Sequence, residues 1–553
     1  MTQRDRGIIA VLSALLVLLG LALTIPSAAP APAGVAGPSA SAEANASPAL
    51  PPIYREGVVG SPSSINPLTS RTQADRDLSR LVFSGLVARG GGSTYVPDLA
   101  SSWTVDSAGK TWTFNLRPGA RWQDSQPVTA DDVVFTVGLL KDPAYRGALA
   151  NSWREVSVAK IDSLTVRFTL DTPIAGFLED ALVGLLPKHL LAGKSVTDLA
   201  DGSFSSQPVG SGPFRLVQWD ATSADLVPAP TAATAPALPG IELRFFADAG
   251  ALADAYRAGS LDAAAGLAPA DAVALAALPG SRQLTYPGTT FTSIALNLRP
   301  GHPELASAAV RRALLQALDR PALIAGNLAG SGSRADSPVP PSSWAFDPAA
   351  SVALASNPTA AAAALKADGW KKASAGWLAP KAKTPFTFDL LSPDQASNPI
   401  AWGTAELVTS QWRSFGLKVT HVALAPADLV ARLGAGTFVA ALVQVNIGID
   451  PDLYPLFASS QAVSGGANLT GIQDATLDHL LVAARSPGKD AARRTAYSKL
   501  QAFLVSNPPM LPLFFQDDLV VVDSRVLGPA IRSLGDLSDR YWDVLTWRLA
   551  DGR

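Results

Sequence analysis

The stretch that most constrains the fold covers residues 95–140, YVPDLASSWTVDSAGKTWTFNLRPGARWQDSQPVTADDVVFTVGLL. Trp103, Val105, Trp112, Phe114 and Leu116 alternate with polar neighbours over two short runs, the period of strands with one apolar face. Residues 106–110, DSAGK, supply the turn between them. Thr129 then stands at a helix start. It is placed to cap, Asp131 and Asp132 suit the positive end of the helix, and Val133, Val134, Val137 and Leu140 form an apolar face. Strand, turn, strand and helix make a small α+β unit.

The chain around this unit has 553 residues, too many for one ordinary core, so several domains are expected. A net charge of -2 with 16% charged residues argues against a nucleic-acid-binding chain or an acidic tail protein. The hydrophobic share of 48% owes much to alanine and does not imply a multi-span membrane protein. There is no cysteine, which excludes disulfides, thiolate metal sites and a cysteine nucleophile. Arg4 and Arg6 precede an uncharged apolar run, residues 8–25. It is longer than the roughly 7–15 residues of a secretory signal core and close to the ~18 at which a membrane helix becomes plausible. A cleaved signal peptide and an uncleaved signal anchor both remain open for residues 1–25, with cleavage-type sequence at Ala31-Pro32-Ala33 and Ala40-Ser41-Ala42. Either one places the rest of the chain outside the cytoplasm. Residues 26–52, rich in Ala, Pro and Ser with almost no charge, read as a disordered linker.

From residue 54 onward strands and helices alternate. A helix is expected over 74–86, with Leu78, Leu81, Val82 and Leu86 on one face, and an alternating strand over 161–170. In PVGSGPFRLVQW, residues 208–219, Gly210 and Gly212 read as a tight turn before a strand. Strands are expected at 241–246 and 289–298, and a helix at 306–318 that buries Val310, Leu314 and Leu318 and turns Arg311 and Arg312 outward. Asn357 starts a helix at 359–368. A strand at 386–391, a helix at 404–415, a strand at 417–424 and one terminal strand at 510–522 follow.

The wording of these segments resembles the family 5 extracellular solute-binding proteins of ABC importers, whose phrase runs "PDLAESW…DGxTYTFxLRxGVxFHDGxPVTAxDVVFS". Pro97, Asp98, Leu99, Ala100, Trp103, Leu116, Arg117, Gly119, Asp124, Pro127, Val128, Thr129, Ala130, Asp132, Val133 and Phe135 fall in place. GSGPFRLVQW, AYRAGSLDAA and AAVRRALLQALDRPALI match further phrases in the family's order. The resemblance implies an α/β, two-lobed periplasmic-binding-protein-like fold of type II, with an extra α+β subdomain in lobe one. Lobe one would take residues 53–97, 206–290 and 515–553, the inserted subdomain 98–205, and lobe two 291–514. It also implies the function: an extracytoplasmic subunit that captures a peptide-like or other small solute by hinge closure and delivers it to a permease driven by ATPase subunits. The N-terminal segment would be its contact with the membrane; no cofactor, metal, nucleic acid or catalysis is implied. The alternative is a surface-tethered sensor or scaffold with the same fold. Many relatives are tethered by a lipid-modified cysteine, which this chain lacks. The four histidines, at 189, 302, 421 and 479, lack metal-site spacing, and Gly193-Lys194-Ser195 lacks the leading glycine of a phosphate loop.

Four residues are singled out for the ligand. Trp402, in a Ser/Pro/Asn-rich loop before the helix at 404–415, is placed to wall the cleft and stack on a solute. Peptide-binding members resemble one another at "GWxxDxxDPD", where the first aspartate pairs with the ligand's ammonium. Here residues 443–452 read VQVNIGIDPD, which puts Ile447 at that aspartate. Asn446 offers hydrogen bonds without charge, and Asp450 either substitutes or holds the loop before Pro451. A buried ammonium without a counter-charge costs several kcal/mol. Position 447 therefore predicts weak binding of ordinary free-amine peptides and a preference for a neutral, blocked or non-peptide solute.

Overall fold

The computed structural model describes residues 53–550 apart from 92–93, 146, 148, 201–202, 352–353 and 487–489. The readings of residues 1–25 and 26–52 lie outside the described residues. Strand β1 (Tyr54–Val59) leads through a loop to the helix Gln73–Val82. That loop is fixed by one carboxylate: Asp75 accepts from the amides of Ser63 (2.6 Å), Ser64 (3.0 Å), Arg71 (2.8 Å) and Thr72 (2.9 Å). Burial alone would raise the Asp75 pKa, but these amides outweigh it and hold the group below the ordinary carboxylate range. The helix stops at Val82, four residues before the expected end, and Phe83 leaves it extended.

Gly210 and Gly212 owe their place to this helix end. A Cβ on Gly210 would lie 1.9 Å from the Val82 carbonyl oxygen, and one on Gly212 would lie 2.6 Å from the Val82 carbonyl carbon. Neither is among the positive-φ glycines. They serve close approach, which corrects the reading of a tight turn.

The hairpin β2 (Val87–Arg89) and β3 (Tyr95–Pro97) precedes the inserted subdomain. There β4 (Ala100–Val105), β5 (Thr111–Leu116), β6 (Val156–Lys160) and β7 (Thr165–Leu170) form an antiparallel sheet in the order β4-β5-β7-β6. The helix Ala130–Leu140 begins as expected, though the Asp132 carboxylate accepts from both the amide (2.8 Å) and the hydroxyl (3.3 Å) of Thr129. On the sheet, Phe114, Phe168 and Trp153 surround Phe177, with ring centroids 5.3 Å apart for Phe168–Phe177 and 5.8 Å for Trp153–Phe177. Phe177 opens the short helix Phe177–Asp180 and so fixes Glu179 and Asp180 in place.

The chain returns as β8 (Phe214–Trp219), β9 (Ser223–Pro228), β10 (Ile241–Phe246), β11 (Ala263–Ala265) and β12 (Ser281–Tyr286). Residues 287–289 then cross to a second sheet, built from β13 (Thr290–Leu296), β14 (Gly332–Arg334), β17 (Thr387–Pro393), β18 (Lys418–Leu424), β19 (Ala440–Asn446) and β20 (Met510–Gln516); β15 (Lys371–Ala373) and β16 (Gly376–Leu378) form a side hairpin. After Asp517 the chain crosses back as β21 (Asp518–Asp523). The first sheet has the order β12-β21-β11-β1-β10-β9-β8, the second β14-β20-β13-β19-β17-β18. The single strand expected at 510–522 is therefore two strands on two sheets.

Two further expectations change. Arg311, in the helix Ala308–Gln316, points inward and is buried. Its guanidinium donates to the carbonyls of Pro508 (2.8 Å), Leu305 (2.6 Å) and Ala306 (2.7 Å) and to the Asn507 side chain. Burial and the neighbouring Arg312 lower its pKa to about 10. The helix expected at 404–415 begins at Pro399, capped by Asn398, whose side chain accepts from the Ala401 amide at 2.9 Å. Trp402 thus sits in its first turn rather than in a loop.

Candidate functional site

A cavity of about 890 Å³ opens in the first lobe, within the roughly 300–1,000 Å³ of pockets that enclose small ligands. Its walls come from distant parts of the chain: the Asp75-held loop with Arg71, the helix Gln73–Val82 with Arg76 and Arg80, Arg89 of β2, Glu179 and Asp180 of the insert, and the C-terminal segment around Asp536 and Asp539. From the second sheet it receives Asn446, the last residue of β19. Asn446 stands beside the first crossing. Its Oδ1 lies 2.8 Å from the Thr289 hydroxyl, and its side-chain amide donates to the Gly535 carbonyl.

One side of the cavity is basic. Arg76 pairs with Asp536 at 2.9 Å, Arg80 approaches Asp539 at 3.7 Å, and Arg89 bridges Asp539 (2.9 Å) and Glu179. Burial works against the Asp539 carboxylate, but Arg89, Arg80 and Arg532 outweigh it and keep its pKa below the ordinary value. Burial, with Arg89 nearby, brings Arg532 down to about 10. Among the described residues no carboxylate pairs with the exposed Arg71 guanidinium.

The other side is acidic and meets the second lobe. Glu179 accepts from the Tyr95 hydroxyl at 2.8 Å as well as from Arg89. The lobes touch here: the Ala175 amide donates to the Arg485 carbonyl at 3.0 Å. Across the contact, Asp450 is held by Arg493 at 2.8 Å and Asp452 by Arg485 at 2.9 Å. Burial is the main cause that pushes the Asp180 carboxyl up to about 7. The Ser152 hydroxyl opposes it, while Glu179 and Asp452 add to it.

Of the four residues singled out from sequence, only Asn446 lines this cavity. Asp450 accepts from the guanidinium of Arg493. Ile447 is buried among the apolar residues of the second lobe. Trp402 lies against His421 of β18, with ring centroids 6.0 Å apart, and does not reach the cavity wall. The arginines and Asp180 escaped the sequence reading. One signal was available: Arg76 and Arg80, four residues apart, share the helix side opposite the buried Leu78 and Leu81.

Residues 94–466 match the family described as bacterial extracellular solute-binding proteins, family 5 Middle. Protein XP55 of Streptomyces lividans is 30% identical over 505 residues, covering 90% of this chain and 86% of that protein. The oligopeptide-binding protein AppA of Bacillus subtilis is 24% identical, covering 89% of this chain and 91% of that one. The solved structure of the Bacillus subtilis AppA in complex with a nonapeptide superposes with a TM-score of 0.72 at 23% identity, over 90% of this chain and 99% of that one.

Proposed function

The chain belongs to the bacterial extracellular solute-binding proteins, family 5, and from that premise we propose that the cavity of about 890 Å³ is where its solute is captured. The protein is the extracytoplasmic solute-binding subunit of an ABC importer. The two crossings, residues 287–289 and 517, act as the hinge, and closure over a peptide-like or other small solute presents it to the permease. The ATPase subunits supply the energy, and we assign no turnover to this chain. Residues 8–25 tether it to the membrane or direct its export. The observation that supports this reading is the make-up of the cavity. Charged groups of the first lobe and insert wall it, and the second lobe contributes Asn446 beside the hinge.

Among the residues singled out from sequence, Asn446 is the one we assign to solute contact. Ile447 gives a solute's ammonium no counter-charge from the second lobe. The reading is tested by mass spectrometry of small molecules released on denaturing protein purified from its own cells. A stoichiometric compound, recovered unchanged after prolonged incubation with the protein, is expected. Conversion of that compound to a product would overturn capture as the function.

A further inference from the structure

Charged groups of both lobes meet where the insert touches the second lobe, and their pairing leaves one carboxylate over. Glu179 has Arg89, Asp450 has Arg493 at 2.8 Å, and Asp452 has Arg485 at 2.9 Å. Asp180 has no cationic partner among the described residues; Ser152 is its polar neighbour, and Glu179 and Asp452 are the charged groups that face it. It is half-buried and lines the cavity, so a ligand in the cavity can reach it. The aromatic cluster around Phe177 fixes the helix that carries it.

We propose that Asp180 is the cation-binding group of the cleft, holding a solute's ammonium from the first lobe where position 447 of the second lobe offers none. This rests on the cavity being the solute site. An ammonium there completes the pairing, because the three neighbouring carboxylates already have their arginines while Asp180 awaits a positive charge. The basic side of the same cavity, where Arg71 has no carboxylate partner among the described residues, suits a carboxylate on the same solute, so the class is a zwitterion such as a short peptide. The proposal reverses the preference expected from Ile447 alone.

A pH dependence follows. With its carboxyl at about 7, the empty site largely holds a proton in mildly acidic solution. A bound ammonium favours the carboxylate and displaces that proton, so affinity rises as pH approaches 7 and levels off above it.

Calorimetry of the full chain with trialanine and N-acetyltrialanine, at about pH 5.5 and about pH 7.5, tests the proposal. For the wild type, N-acetylation should weaken binding at least tenfold, trialanine should bind more tightly at the higher pH, and its binding at the lower pH should release a proton. Asp180→Asn, which keeps the shape and removes a buried charge, should bind both peptides alike at both pH values. A thermal melt no lower than that of the wild type would show that this variant folds. An Asp180→Asn protein that keeps the amine preference overturns the proposal. A wild type that binds neither peptide, or both equally, overturns it too and leaves the expectation from Ile447 standing. None of these outcomes decides the importer reading, which is judged by the compound retained in native protein.

Discussion

Arg540 occupies a wholly buried position between two carboxylates, Glu56 of β1 at 2.8 Å and Asp77 of the helix Gln73–Val82 at 2.7 Å. The hydroxyls of Tyr54 and Tyr541 also donate to Glu56, at 3.0 and 2.8 Å. Burial, followed by the charge of nearby Glu56, raises the Tyr54 pKa well above the ordinary value, so this phenol stays a donor. Arg540→Met would leave Glu56 and Asp77 buried without a cation, a change that typically costs about 3–5 kcal/mol. Urea unfolding followed by circular dichroism should show a loss of that order; a loss below about 1 kcal/mol would mean that the network relaxes to water instead. Such residues are hard to read from sequence. Arg311 looked outward because a helical period sorts polar from apolar, whereas the carbonyls of Pro508 and Leu305 that receive its guanidinium belong to segments the period does not see. Asp180 escaped for the same reason, since its lack of a partner appears only once three other carboxylates have found theirs.

At the scale of elements, the crossings are packed with little room. A Cβ on Gly288 would lie 2.1 Å from the Gln516 carbonyl oxygen, a backbone atom that cannot rotate away. Gly288→Ala must therefore part the first crossing from the end of β20. Overpacking of this kind costs on the order of 1–3 kcal/mol. Thermal denaturation should show that loss, together with weaker retention of the co-purifying solute. An unchanged melt with full retention would mean that the crossings separate freely. Most elements were legible because the periods differ: β5 alternates every second residue, and the helix Ala130–Leu140 has its capping residues in order, whereas β4 carries a register shift and leaves Val105 exposed rather than on the expected apolar face. β20 and β21 merged into one expected strand because both are nearly continuous apolar runs, and hydrophobicity alone carries no mark of a change of sheet.

At the scale of the molecule, the two lobes could be inferred from phrases that lie in the family's order, but the cavity could not. Its walls join Arg76, Glu179, Asn446 and Asp536, positions that no local pattern links. The tether is a question for the whole chain. As an uncleaved anchor, residues 8–25 would keep the full-length protein in the membrane fraction, released by detergent and not by high salt. A soluble product beginning near Gly34 or Glu43 would establish cleavage instead. The order of the first sheet bears on how the molecule is made. β21 lies between β11 and β12, although more than two hundred residues separate β12 from it in the chain. A chain emerging from the ribosome thus carries an open slot in its first lobe until residue 523 exists, while the second sheet, whose strands run from 290 to 516, is already complete in sequence. The lobe begun first is the lobe finished last, because its sheet can close only after every strand of the second lobe has been made.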